Sequence, residues 1–379
     1  MKAKPEANPA ARDLRFDTLR GLFLICMTIN HLPTELRAVT DQSIGLFTAA
    51  EGFVFVSGLM AGWIYTRKLR AGGPGALRSA VLGRAKTIYG WHIASFIAAF
   101  LCVKVTEYGC GYCSLDVPRL FFEHPVAALG LGLSFLYQPG LLDLLPMYCV
   151  FVMLLPPVIG GLESGRRWLV LSVSAAVWLA AQWAPPIDGA PIYPVNTGSF
   201  NLFAWQLIFV AGIAVGHARA NGRAQVSRPS PWTLLAAACV AVYGIGVRQA
   251  HWPALWPAAV YGVLVNKPAL GLLRLADFGC VAYLVAVVGA RFPSALSARP
   301  LAFLGRNSLA VVAAQSVAIM ELLQFPALFA SALSRTLVAL STVAMLFAAA
   351  AARQALARLL APAFSPPGQS DLARRRMAA

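Results

Sequence analysis

Phe16-Asp17-Thr18-Leu19-Arg20-Gly21-Leu22-Phe23-Leu24-Ile25-Cys26-Met27-Thr28-Ile29-Asn30-His31-Leu32-Pro33 is the stretch that decides the fold. It is an apolar run of the length needed to cross a bilayer as helix, about 20 residues. It also carries an arginine near one end and a histidine near the other. Intramembrane ionisable groups are costly in lipid and face a cavity or a partner. Arg20 and His31 lie 11 positions apart. At about 100° per residue this is some 20° past three full turns, so both lie on one face, roughly 16 Å apart along the axis.

Runs of the same kind recur along the 379 residues, of which 59% are hydrophobic and 12% charged. Soluble domains carry about 25% charged residues. A soluble enzyme, a disordered chain and a disulfide scaffold are therefore excluded. The sequence predicts an all-α polytopic membrane protein with ten spans, near 16–33, 44–66, 87–105, 140–161, 167–184, 200–219, 231–248, 270–290, 301–323 and 329–353. Pro125–Tyr137 is apolar but short, which suits an interfacial or re-entrant segment. The expected organisation is a basic arm (1–15), one transmembrane domain (16–361) and a disordered basic tail (362–379) that lies near anionic lipid. No cleavable signal peptide is evident, and the first helix is expected to act as its own insertion signal.

The net charge of +16 would suggest nucleic acid in a soluble protein. Here it follows the positive-inside rule. With both termini cytoplasmic, 22 of the Lys and Arg side chains fall in inner segments and 5 in outer ones. No stacking platform or zinc pattern supports nucleic-acid binding. Seven cysteines form no metal pattern; Cys110 and Cys113 could form a disulfide in an oxidising outer compartment.

The candidate site follows from depth. Asp17, three residues before Arg20, can pair with it. Glu51 lies about two turns below the outer surface, level with His31, and shares a helix face with Phe55, Gly58 and Gly62. The two glycines allow close helix approach. Glu51 is expected to orient the His31 imidazole, as the partner of a base does in a catalytic dyad. Asp143, Asn201, Trp205 and Gln206 fall at the same outer depth and suit a sugar; Arg274, Asp277, Gln315, Glu321 and Arg335 share that depth. The inner rim holds Arg12, Arg15, Arg84, Lys86 and Arg306, which suit phosphate. A long ligand with an anionic head, such as coenzyme A, fits this two-ended layout. A secondary transporter would show two similar halves with interrupted helices, and no such pairing is found.

Arg20, ten residues, then His31 resembles the Arg–His motif of the acyltransferase type 3 superfamily. Phe53-Val54-Phe55-Val56-Ser57-Gly58 and Leu304-Gly305-Arg306-Asn307-Ser308-Leu309 resemble two of its later segments. The closer resemblance is to the OpgC family. It rests on Arg12-Asp13-Leu14-Arg15-Phe16-Asp17 with Arg20-Gly21-Leu22, on Ala50-Glu51-Gly52-Phe53-Val54-Phe55, on Gln138-Pro139 with Asp143-Leu144-Leu145-Pro146-Met147-Tyr148, and on Phe200-Asn201 with Trp205-Gln206. The resemblance implies an inner-membrane transferase of succinyl groups from cytoplasmic succinyl-CoA to osmoregulated periplasmic glucans. One departure is Thr48-Ala49-Ala50, where chains of this family often carry an acidic residue; Asp41 is the nearby acid. This leaves open acetyl or another acyl group, and another envelope polysaccharide as acceptor.

The resulting expectation assigns His31 as general base and Glu51 as its partner. Arg20, Arg15 and Arg306 hold the acyl-CoA phosphates, and Asp143, Asn201, Trp205 and Gln206 hold the glucan. The partners are acyl-CoA, the glucan and the bilayer, with a homo-oligomer left open. No metal or permanently bound cofactor is expected.

Overall fold

A computed structural model describes residues 13–110, 119–183, 198–222, 229–249 and 252–360. The expected basic arm up to residue 12, the tail 362–379 and Cys113 lie outside them, as does the side chain of Cys110. The described residues form fourteen α-helices with three short 3-10 turns and no strand. In chain order they are α1 (Leu14–Asn30), α2 (Ala49–Cys110), α3 (Arg119–Glu123), α4 (Pro125–Leu133), α5 (Leu144–Met153), α6 (Leu155–Glu163) and α7 (Arg167–Ala181). These are followed by α8 (Leu202–Ala220), α9 (Pro231–Arg248), α10 (Ala258–Leu264), α11 (Leu272–Arg291), α12 (Arg299–Arg306), α13 (Ser308–Leu322) and α14 (Ala332–Leu360).

Five of these helices are long and apolar enough to cross a membrane, or seven if each of two bent pairs is one span. Length and apolarity therefore support fewer spans than the ten expected, and the differences have local causes. The expected spans 44–66 and 87–105 fall in one element, α2, which breaks at Gly73 (φ 70°, ψ −174°) just before Pro74. A straight helix would separate Tyr65 from Arg84 by about 28 Å. Both instead line one cavity and interact electrostatically, so the two arms of α2 fold back on each other. The first arm starts at Ala49, not Ile44, because Gln42 (φ 54°) and Gly45 (φ 149°) hold the preceding loop out of helix.

The expected continuous spans 140–161 and 301–323 are both bent. α5 and α6 meet at 40°. Pro156 and Pro157 lack the N–H that would continue the ladder, and their rings crowd the carbonyls of the previous turn. α12 and α13 meet at 83° around Asn307, whose Nδ2 donates to the Phe303 carbonyl (2.8 Å). α4 has nine residues, about 13 Å of helix, too short to span.

Small residues bring the bundle's backbones together. A Cβ on Gly58 or Gly62 would strike the carbonyl oxygens of Phe209 or Ile213 in α8. A Cβ on Gly212 or Gly216 would strike those of Phe55 or Leu59 in return. The expected close approach at Gly58 and Gly62 is thus made, with α8 as the partner. Lipid tails supply no hydrophobic drive between helices, so such close van der Waals contact does the holding. α1 and α12 use the same device: a Cβ on Gly21 would overlap the Leu301 carbonyl, and one on Gly305 the Asp17 carbonyl. This crossing seats Arg20 beside Arg306 and Ser308. Gly305→Ala is expected to cost about 1–3 kcal/mol from overpacking, read as a lower melting temperature in detergent. An unchanged melt would show that α1 and α12 are not this close.

Candidate active site

The site is built from two cavities at opposite ends of α1. Asp13 caps that helix, its side chain accepting from the Arg15 backbone N–H (3.1 Å). The inner cavity has a volume of about 750 Å³. Six cations line it: Arg20, Arg67, Lys68, Arg84, Arg306 and Arg353. Arg20 Nη2 donates to Ser308 Oγ, and its guanidinium lies 5.5 Å from the Phe53 ring centroid. Arg353 Nη1 donates to Asn307 Oδ1 (2.8 Å), so the bend between α12 and α13 is tied to α14. Arg306 Nε stands 3.8 Å from the fully buried Asp17. Asp13, also in the wall, is bound by Arg15 and by Arg219 (2.6 Å). Burial alone would raise its carboxyl, but the Arg15 hydrogen bonds and the two guanidinium charges outweigh this and hold it below the ordinary carboxylate value.

The expected phosphate ligands separate here. Arg20 and Arg306 line the cavity. Arg15 does not: Asp13 takes its Nε and Nη2, and the Gly289 carbonyl takes its Nη1 at 2.7 Å. Arg67, Lys68 and Arg353 were legible only as inner-loop charge. The signal that could have found Arg353 is its place at the end of the long apolar run Thr336–Ala352.

The outer cavity measures about 370 Å³ and holds His31. His31 Nδ1 lies 2.6 Å from the Met27 carbonyl oxygen. A carbonyl only accepts, so Nδ1 carries the proton, and in the neutral ring Nε2 keeps the lone pair. That is the tautomer a general base needs. The backbone of α1 therefore orients the imidazole.

The expected His31–Glu51 pairing is not the one formed. Glu51 is fully buried, and its Oε2 accepts from Thr48 N–H (2.9 Å) and Thr48 Oγ1 (2.7 Å). Its Oε1 accepts from Arg274 Nε of α11. A carboxylate facing a guanidinium satisfies itself more fully than one facing a neutral imidazole. Thr48 and Arg274 both line the His31 cavity, so Glu51 acts on its wall.

Among the expected sugar-binding residues, Asp143 lines this cavity, and its Oδ2 accepts from Ser199 N–H (2.9 Å). Asn201, Trp205 and Gln206 line neither cavity, because their polar atoms are used within the bundle. Asn201 caps α8 through Phe203 N–H and Ala204 N–H. Trp205 Nε1 donates to the Pro268 carbonyl (3.0 Å). Gln206 accepts from Ser174 Oγ (2.7 Å) and donates to the Ser174 carbonyl (2.8 Å), locking α7 to α8. Gln315 lines the outer cavity, whereas Asp277 accepts the Leu46 N–H (2.6 Å) and pins the loop before α2. Glu321 accepts from Thr106 Oγ1, and Arg335 pairs with Glu35 across the outer end. The sequence missed Lys267, Arg37 and Asp41, whose place in the outer wall is set by loop packing.

Leu144 and Val312 belong to the walls of both cavities. The basic chamber and the His31 chamber thus have two aliphatic side chains in common, one from α5 and one from α13. Among the described residues no group of three His, Cys, Asp or Glu side chains is placed to hold a metal ion.

No curated protein and no solved structure matches the chain. The family model described as OpgC protein matches residues 12–358, from just before α1 to the last turn of α14, and the chain belongs to the OpgC family.

Proposed function

We propose that this protein is an inner-membrane O-acyltransferase, of acyltransferase type 3 kind. On this reading it moves succinyl from cytoplasmic succinyl-CoA to hydroxyl groups of osmoregulated periplasmic glucans. The observation that carries the reading is the shared wall: a chamber lined by six cations and a chamber holding His31 have Leu144 and Val312 in common.

Arg20 and Arg306, with Arg84 and Arg353, bind the phosphates of the donor. The pantetheine arm passes between Leu144 and Val312 and delivers the thioester to His31. The glucan hydroxyl enters beside Asp143. His31 Nε2 takes the hydroxyl proton while the oxygen attacks the thioester carbonyl. The C–O bond forms, the C–S bond breaks, and the departing thiolate takes the proton back from the imidazolium. Atoms and charge balance without a metal.

Ten spans with both termini cytoplasmic is the topology that goes with this direction of transfer. α1, the two arms of α2, each bent pair taken as one span, α7, α8, α9, α11 and α14 together supply ten. The charge imbalance supports an inward-facing cation-lined chamber.

The test is the intact mass of periplasmic glucans from a strain lacking this gene. Complementation with the wild-type gene is expected to add one succinyl mass per substituent. No shift despite expressed protein overturns the glucan and succinyl assignment. A shift of acetyl mass instead moves the donor to acetyl-CoA. Blocking the passage gives a second check. Val312→Trp is expected to leave donor binding to the inner chamber, seen by retention on a coenzyme A matrix, and to lower transfer at least about 100-fold, as misplacing the reacting carbon does. Transfer at the wild-type rate would show that the acyl group takes another route.

A further inference from the structure

The outer cavity contains a buried cation with a donor left over. Arg274 is 2% exposed and forms part of the cavity wall. Its Nε is held by Glu51, and its Nη1 reaches the Val265 carbonyl oxygen at 3.5 Å. Its Nη2 is buried and has no hydrogen-bond partner among the described residues. Leaving a charged donor unmet in a buried position is expensive, and native structures rarely do so. Because Arg274 belongs to the cavity wall, an acceptor that enters the cavity is one way to meet such a donor.

The chemistry of that acceptor follows from the group. A guanidinium fixed on one edge by Glu51 presents its remaining N–H groups as a planar fork, which matches a carboxylate. The other two cations in the wall are disposed differently. Arg37 lies 3.6 Å from Asp41, and Lys267 offers a compact ammonium without a planar fork. A chamber of about 370 Å³ shared with His31 takes a short acyl chain and the edge of one sugar.

We infer that Arg274 reads a free carboxylate at the far end of the acyl group. The chain then selects thioesters of a short dicarboxylic acid over those ending in a methyl group. This rests on the acyl-transfer reading above. It assigns a specificity-determining residue, with Glu51 and Thr48 as the positioning residues that hold its guanidinium.

The experiment uses the full-length protein in detergent, with a neutral glucan acceptor, succinyl-CoA and butyryl-CoA. The two donors have the same four-carbon chain, with carboxylate or methyl at its end. Acceptor-dependent thiol release gives kcat/KM for each. Wild type is expected to favour succinyl-CoA at least about 100-fold, as sites built around a buried polar group do. Arg274→Gln is expected to lower that ratio about 100-fold, through the succinyl-CoA arm. Arg274→Lys is expected to recover part of it. An unchanged ratio in Arg274→Gln overturns the inference. If that variant does not fold, because it strands the Glu51 carboxylate, Glu51→Gln with Arg274→Gln removes both charges together and is judged by the same ratio. An acceptor already bearing acidic substituents separates the two sources of carboxylate. If the Arg274 dependence follows the acceptor and not the donor, the inference is wrong while acyl transfer stands. If wild type uses neither donor, the acyl-transfer reading fails, and the inference with it.

Discussion

Replacing His31 with alanine is expected to lower glucan acylation by about 10²–10⁴-fold, the usual worth of a positioned general base. The expectation rests on one ring atom. Nδ1 is committed to the Met27 carbonyl at 2.6 Å, so Nε2 is the lone pair available to a hydroxyl in the outer cavity. The loss should fall on the chemical step, with donor affinity kept, because the cations of the inner chamber are untouched. His31 caps the end of α1 and belongs to none of the buried clusters, so folding should survive. Acceptor-dependent thiol release from solubilised protein, set beside a melting curve, separates the two effects. Wild-type turnover by His31→Ala would remove His31 from the mechanism. His31→Asn would test the tautomer argument. Its side chain can donate to the Met27 carbonyl but leaves no basic nitrogen, and it should be as inactive as alanine.

Glu51→Ala is expected to destabilise the protein by about 3–5 kcal/mol, the penalty for leaving one partner of a buried ion pair behind. Arg274 would keep its charge at 2% exposure with no carboxylate to face. Thr48 would lose the acceptor for both its N–H and its hydroxyl. The start of α2 at Ala49 would be freed as well, since the Glu51–Thr48 contact closes its first turn. Glu51→Gln should cost less, because an amide oxygen still accepts from Arg274, although its NH₂ faces the Thr48 N–H. Replacing Glu51 with Leu and Arg274 with Met together should recover much of the stability while leaving transfer from succinyl-CoA low. Melting temperature and the protein fraction recovered from the membrane measure all three. A Glu51→Ala variant as stable as wild type would mean that the pair does not form.

These effects show which features a one-dimensional reading could reach. The apolar runs gave the helices that are long and apolar enough to cross a membrane, since about 20 apolar residues make a span in lipid. Helical periodicity put Arg20 and His31 on one face, and the structure places them in two chambers at opposite ends of α1. Gly58 and Gly62 were legible as contact points because only a missing side chain permits so close a crossing. The bends were less legible. Pro156 and Pro157 mark one, but the turn at Asn307 follows from side-chain bonds to Phe303 and Arg353.

Asn201, Trp205 and Gln206 show the limit for polar residues. In lipid, a polar side chain that locks two helices looks the same in sequence as one that faces a ligand, because both avoid the hydrocarbon. Only the distances to Ser174 and Pro268 distinguish the lock from the binding group. Glu51 shows the same limit for charge. Its depth could be counted from the helix start, but its partner lies 223 positions away. No local period carries that information.

The sequence by itself therefore determined the class of molecule, the uneven distribution of its positive charge between segments, and the placing of Arg20 and His31 toward opposite ends of one helix. Each depends on composition or on spacing within a single helix. The tertiary structure alone decided which of the many buried polar groups face a cavity, that a backbone carbonyl orients His31, that Glu51 serves Arg274, and that Leu144 and Val312 belong to both chambers. These follow from how separate helices pack, and packing is set by which groups best satisfy one another in a medium that offers them no water.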